Sequence, residues 1–414
     1  MTKSRLIGRF LVVTLGLGMA ACSAPAPVPS GGAGNATTGT SAPSNAAQQG
    51  VDNKVVTIGL GSILSGPNSV ASQITLGTKV YLDMLNRDGG VNGYTFKYVE
   101  RDTANQPAQA VAVAQQLTNE DKVFAMVAVG SNSLQALVPT AGSLKAPILA
   151  FSDGDLLRPT IPNVFGFTPR YTLLPLFDTQ FLIKNLNLKQ VAYLYEDDAV
   201  GRPALKTLPG FVSANGAQLV ASVGFPADTT DWAPFAQRLK DSGAQGVAYA
   251  GASQLAGLQK AADAIGYHPK YVSFYGNLVP AYVKLAGPLA EGTYVDGMQQ
   301  PPDASSPAGQ KFTDEMKCAG QESAIGGPAG QGWTAGAVFE EGVRRATANG
   351  AALTWDSFMS ALNTFQNQPV GMYPSITYTA DDHTGVRQAA MYQIQNEKFV
   401  QVLPLTDIPE APSS

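Results

Sequence analysis

Two acidic clusters stand where strand-like runs end. Asp153-Gly154-Asp155 follows the apolar run at 147–151, and Asp197-Asp198 follows the run at 191–195. Carboxylates so placed can hold a metal ion, exchange protons with a substrate or contact a ligand. The same residues also suit helix capping and turn formation. Nothing nearby completes a catalytic set. Of the two histidines, His268 precedes Pro269 in a helix-to-strand loop and His383 follows Asp381-Asp382. The chain has no Gly-x-Ser-x-Gly elbow, no P-loop and no complete Gly-x-Gly-x-x-Gly after a strand. Its two cysteines, Cys22 and Cys318, make neither a disulfide scaffold nor a Cys-based zinc site. The expectation is a protein without enzymatic activity, bound metal or cofactor.

Small polar residues are the commoner chemistry at the strand ends. They occur as Leu64-Ser65-Gly66-Pro67, Gly130-Ser131-Asn132-Ser133, Ser152-Asp153-Gly154, Asp197-Asp198 and Gly251-Ala252-Ser253. Free N–H groups and hydroxyls at a helix start suit a carboxylate or another polar ligand group. The turn at 131–133 is the best single candidate. Helix capping is its other use, and one residue can do both.

The elements that must position these loops alternate regularly. Residues 55–60 read as a strand, 72–85 as a helix, 94–99 as a strand and 108–117 as a helix. A continuous apolar strand follows at 123–129, then a helix at 133–144 and a strand at 147–151. Unbroken apolar runs mark strands covered on both faces. The pattern then restarts. Helices at 173–186, 204–214, 232–240 and 255–265 alternate with strands at 191–195, 218–225, 246–250 and 271–275. Helices at 311–320 and 331–348 and strands at 375–379 and 389–403 are left to complete the two units. The pattern predicts two α/β lobes, each with a doubly wound parallel sheet, whose ligands sit beyond the carboxyl ends of the strands.

Composition agrees. The 414 residues allow two to three domains at about 150 each. Charged residues make up 14% and apolar residues 44%, where a typical domain carries about 25% charged. A net charge of −4 excludes an electrostatic nucleic-acid footprint. Lys3, Arg5 and Arg9 precede an uncharged stretch at 10–21. This has the pattern of a secretory signal and is shorter than the roughly 20 residues that span a bilayer. It ends Met19-Ala20-Ala21-Cys22, which resembles the bacterial lipobox, although Leu is usual where Met19 stands. That resemblance implies a lipid anchor on Cys22. Residues 22–51 contain no charged side chain and are dominated by small and polar types, the composition of a flexible tether.

Several segments, taken in order, resemble the substrate-binding proteins of ABC importers, in the branch of the leucine/isoleucine/valine-binding proteins with the type I periplasmic-binding fold. These are Thr57-Ile58-Gly59-Leu60 with Ser65-Gly66-Pro67, Asn86-Arg87-Asp88-Gly89-Gly90-Val91-Asn92-Gly93, and Asp102 with Pro107 and Ala110. Further along come Asp231-Trp232 with Leu239-Lys240 and Ser242-Gly243-Ala244, then Glu291-Gly292 and Gly332-Trp333. The resemblance covers about residues 55–402. It implies two lobes joined by three hinge crossings, a ligand trapped in the cleft, and partners in the permease and ATPase of an importer. It places a monomer on the extracytoplasmic face of the cell membrane, in the periplasm or cell-wall space. The implied division is a signal at 1–21, a tether at 22–51, one lobe at 52–170 and 299–378, the other at 171–298 and 379–407, and a tail at 408–414.

Carried over residue by residue, the resemblance puts the ligand's polar head on Ser131, Asn132 and Ser133, with Ser65 in the preceding loop and Ser152, Asp153 and Gly154 in the next. Asp197, Val200, Tyr275 and Asn277 fall on cleft loops of the second lobe. The chain departs from amino-acid-binding members in its short turn at 130–139, in Ser-Asp-Gly where Ala-Thr is common, and in Val200 where an aromatic residue is common. These departures lean toward a hydrophobic or aromatic organic acid. Asp153 paired with an ammonium group would instead restore a branched-chain-type amino acid. A ligand-binding module of a sensor or receptor would have the same fold.

Overall fold

The computed structural model describes residues 48–198, 201–251, 254–302 and 306–411. Cys22, the signal and most of the tether lie outside the described residues, as does Val200. Among the described residues no helix is long and apolar enough to cross a membrane.

The first sheet is built from β1 (Val51–Asp52), β2 (Val55–Ser62), β3 (Thr95–Asp102), β4 (Ala125–Val129), β5 (Ile148–Phe151) and β6 (Val164–Gly166). β2, β4, β5 and β6 run parallel in that order, with β3 on the other side of β2 and β1 folded back antiparallel on its start. Every residue of β4 and β5 is buried, as their unbroken apolar runs require. The connecting helices are α1 (Ser72–Arg87), α2 (Pro107–Asn119) and α3 (Ser131–Leu144). Gln48 and Gln49 already bond to this body, through Trp355 N and the carbonyls of Thr118 and Val123.

The second lobe begins with α4 (Leu174–Gln180). It continues through β7 (Gln190–Glu196), α5 (Leu208–Ala214), β8 (Gln218–Phe225), α6 (Ala233–Asp241), β9 (Gly246–Ala250), α7 (Leu255–Ala264), β10 (Lys270–Ser273), α8 (Pro280–Ala286) and β11 (Tyr294–Gly297). Its strands run β8-β7-β9-β10-β11, all parallel. The chain then returns to the first lobe with α9 (Pro307–Cys318), α10 (Gly327–Ala346) and α11 (Trp355–Leu362). A small sheet follows, of β12 (Gln368–Val370), β13 (Tyr373–Thr379) and β14 (Asp382–Gly385). It crosses a last time to add β15 (Gln388–Gln395) and β16 (Lys398–Asp407) antiparallel to the edge at β11. The result is the expected type I periplasmic-binding architecture: two parallel-sheet lobes and three crossings, after β6, β11 and β14.

Two contacts fix the first lobe around the cleft. α10 lies on α1 so closely that a Cβ on Gly332 would stand 1.6 Å from Ile74 O, and one on Gly77 2.0 Å from Ala329 O. Tyr81 meets Trp333 edge-on with ring centroids 4.6 Å apart. At the far edge His383 stacks on Phe165 at 4.2 Å. Its Nδ1 lies 2.9 Å from Val164 O and its Nε2 2.9 Å from Asn363 Oδ1. Burial lowers its pKa, so the neutral ring serves as a packed core residue. That contact ties β14 to the first lobe.

Some elements differ from the sequence-based expectation. The stretch at 389–403 is a hairpin and not one strand, because Asn396 and Glu397 take φ of 51° and 66° and reverse the chain. The helix expected at 173–186 loosens after Gln180 into a wider turn at Phe181–Asn185. The strand expected at 271–275 stops at Ser273, and Tyr275–Asn277 forms a short 3-10 turn.

Candidate functional site

A cavity of about 700 Å³, open mouth included, lies where the carboxyl ends of the two sheets meet. That is the size of a small-molecule pocket and the position that parallel sheets favour. From the first lobe come Ile63 after β2, Asn105 after β3, Val129 to Ser131 at the passage from β4 to α3, and Phe151 at the end of β5. Asn68, Val70, Ala71 and Ile74 enter from the start of α1. From the second lobe come Glu196 at the end of β7 and Asp198 just past it, Gly251 after β9, and Phe274 to Gly276 after β10. Tyr171, just past the first crossing, and Pro328 and Gln331 on α10 complete the wall.

The turn into α3 is shaped by Gly130, whose φ is 102°. A Cβ there would stand 2.5 Å from Asn105 Oδ1 and 2.8 Å from Ile63 Cδ1, so glycine lets the wall close up. Ser131 lies beside the Tyr171 hydroxyl, which is 2.7 Å from that of Tyr275. Burial pushes both phenols above their ordinary pKa, so both stay protonated. This series of hydroxyls runs from the first lobe through the crossing to the second. Asn68 Nδ2 reaches Glu196 Oε1 across the cleft at 3.5 Å, the outer limit of a hydrogen bond. The buried oxygens Asn68 Oδ1 and Gln331 Oε1 meet no donor among the described residues.

The residues singled out in the sequence are only partly brought together. Ser131 and Tyr275 line the cavity. Ser133 does not; its N–H and hydroxyl turn to Asn105 Oδ1 at 3.2 and 3.3 Å, supporting a wall residue from behind. Asn132, beside it, is half-buried and outside the lining. Ser65 is exposed and donates to Asp102 Oδ2 at 2.6 Å, holding its own loop. Ser152 is buried, its carbonyl accepting from Thr168 Oγ1. Asp153 sits behind Phe151, where Oδ1 accepts from Tyr171 N at 2.7 Å and Asp155 N at 2.9 Å. Burial and the charge of Asp155 push its carboxyl up to about 7. Burial opposes ionisation of Asp155 as well, but bonds from Thr172 and Arg170 outweigh it and hold that carboxyl low. Gly154 packs against the first crossing, with room for a Cβ only 3.1 Å from Pro169 and Arg170. Asp197 is exposed and paired with Arg202 Nε at 2.6 Å, outside the cavity. Asn277 is buried and donates to Ser273 Oγ at 2.7 Å, bracing the turn that carries Tyr275.

The sequence reading passed over Glu196, Asn68, Tyr171, Phe274 and Gln331 as contacts, and it marked the Asp197-Asp198 pair but carried only Asp197 into the site. Glu196 had a signal, because β7 extends one residue beyond the apolar run and side chains alternate along a strand. Two carboxyls behind the wall were equally unforeseen. Asp178 on α4 and Asp296 on β11 are buried and face each other, and burial pushes both up, Asp296 to about 8. Two carboxyls in such a place cannot both ionise near neutrality. The Tyr275 amide lies near enough to Asp296 to lower its pKa somewhat, although the geometry makes no hydrogen bond to either Asp296 oxygen.

Residues 55–398 match the family described as Periplasmic binding protein. The chain belongs to the periplasmic binding protein family. Members of this family work outside the cytoplasm, and the family fold is one of binding and not of catalysis. Among similar sequences, an amino acid binding protein of Pseudomonas aeruginosa is 27% identical over 212 residues, 49% of this chain and 55% of that protein. Leu/Ile/Val-binding protein homolog 3 of Brucella melitensis is 24% identical over 202 residues, 47% of this chain and 54% of that protein. The chain thus spans about half the length of these curated relatives. A branched chain amino acid ABC transporter protein from Thermus thermophilus, solved with bound valine, superposes with a TM-score of 0.78 at 20% identity, covering 87% of this chain and 97% of that one. A fatty acid ABC transporter substrate-binding protein from Thermomonospora curvata gives 0.78 at 19%, covering 87% and 94%. A solute binding protein from Rhodopseudomonas palustris in complex with 3,4-dihydroxy benzoic acid gives 0.75 at 20%, covering 87% and 99%. At these identities the likeness establishes the fold.

Proposed function

We propose that this periplasmic binding protein is the extracytoplasmic substrate-binding component of an ABC importer. It traps a small organic ligand between its lobes and delivers it to a permease and its ATPase. The observation that carries this reading is the cavity walled from both sheets, with Ser131 and Asn68 on one side and Glu196 and Tyr275 on the other. A ligand touching both walls gains its full contacts only when the lobes are together, so binding shifts an open–closed equilibrium. The signal at 1–21, the acylated Cys22 and the charge-free tether complete the reading, holding the body at the membrane surface. In it the lobes divide near residues 170, 298 and 378, and the contact of β14 with β6 supports moving the last division to about 386. The similar proteins are named for branched-chain amino acids, a fatty acid and a dihydroxybenzoic acid, so the fold does not choose the ligand.

A thermal-shift screen finds a ligand through the stability that binding adds. Small-angle scattering with and without that ligand should then show a smaller radius of gyration for the loaded protein. Tight binding with an unchanged scattering curve would rule out trapping by closure.

A further inference from the structure

The described lining of the cavity carries acids and no base; Arg202, which feels the Asp198 charge, is exposed and paired with Asp197 outside it. Glu196, 3% exposed, and Asp198 both line it, and Asp153 lies buried behind Phe151 and Tyr171. Among the described lining residues there is no Lys, Arg or His. The four residues nearest in sequence that are not described, Ala199, Val200, Ala252 and Ser253, carry no charge either. A ligand carboxylate would meet the start of α3, a few hydroxyls and neutral amides as favourable partners, with no cation among the described lining residues and acids on the facing wall. Low-dielectric surroundings make that repulsion stronger than in water.

The remaining groups favour the opposite charge. Four aromatic rings, Phe151, Tyr171, Phe274 and Tyr275, line the same space. Tyr171 meets Phe274 edge-on at 5.7 Å, and Phe274 lies 3.9 Å from Tyr275. Ring faces attract cations, and more so when desolvated. The side-chain oxygens of Asn68 and Gln331, without donors among the described residues, add two acceptors. Gln331 is 2% exposed, so its orphaned oxygen calls for a donor from the cavity.

We propose that the trap selects an organic cation: a ligand whose protonated or quaternary nitrogen sits among Glu196, Asp198 and the aromatic rings, with an apolar body against Ile63, Val70 and Ile74, and for which a carboxylate is dispensable. This rests on the trapping function above and names its substrate class. It departs from the organic-acid leaning of the sequence, which assigned the cleft acids to Asp153 and Asp197 and did not foresee Glu196 and Asp198 together.

Two matched sets of compounds test it on the full-length protein. One is 3-methylbutylamine, leucine and 4-methylpentanoate; the other is phenethylamine, phenylalanine and 3-phenylpropanoate. Within each set only the charged groups change. Calorimetry should show an amine binding at least as tightly as its amino acid, with the acid inert. E196Q and D198N should each weaken amine binding about ten- to a hundredfold, the loss expected for one charge-assisted partner. Binding of an acid with neither amine bound, or binding of an amino acid whose amine is inert, overturns the inference. Scattering on the same samples separates this from the trapping function. An amine that binds by calorimetry without compaction supports cation selection and overturns closure.

Discussion

Ser131 and Ser133 stand two residues apart at the start of one helix and do different work. Ser131 faces the cavity beside Tyr171, while Ser133 turns back to hold Asn105. S131A should therefore weaken ligand binding by about 0.5–1.5 kcal/mol, the worth of a neutral hydrogen bond. S133A should cost affinity less and lower the melting temperature instead. Calorimetry and thermal melts on both variants check this, and equal affinity losses would contradict it. The sequence marked the turn but not the division of labour within it, because helix geometry and not residue type decides which hydroxyl faces the cleft. The acids after β7 teach the same lesson. The sequence reading ended the strand at Tyr195 and took Asp197 as a contact from the family resemblance. The strand includes Glu196, which puts Glu196 and Asp198 on the cleft side and leaves Asp197 in solvent with Arg202.

At the scale of elements, legibility followed burial. The strand at 246–250, buried throughout, was read with the bounds it has, because a run of apolar residues leaves little choice. β11, Tyr-Val-Asp-Gly, was not read at all. It carries a carboxyl at its centre, and a buried acid breaks the pattern that identifies a core strand. That acid has a consequence for stability. Asp296 keeps its proton up to about pH 8 and Asp153 up to about 7 in the folded chain, whereas an unfolded Asp loses it near pH 4. Between these limits the folded state binds more protons than the unfolded one, so stability falls as pH rises. The slope is at most about 1.4 kcal/mol per pH unit for each group. Melting temperatures measured from pH 5 to 8.5 should decline. D296N, shaped like the protonated acid, should flatten the decline, and an unchanged slope would remove the Asp178–Asp296 pair from the account.

For the whole molecule, the repeated strand–helix order made the two lobes legible, and two of the late strands, β15 and β16, extend the second sheet at β11. The close approach of α10 to α1 was not foreseen, because Gly77 and Gly332 lie far apart in sequence and only their joint lack of a Cβ permits it. Delivery belongs to this scale as well. C22S should move the protein from the membrane fraction to the soluble fraction, and continued sedimentation with membranes would argue against an acyl anchor. The contacts that already link the walls across the cleft, Asn68 to Glu196 and the hydroxyls from Ser131 to Tyr275, use protein atoms alone. They act as latches between the two walls. At 3.5 Å the Asn68–Glu196 contact is the frailest of these latches, so it is the first to give way when the walls part.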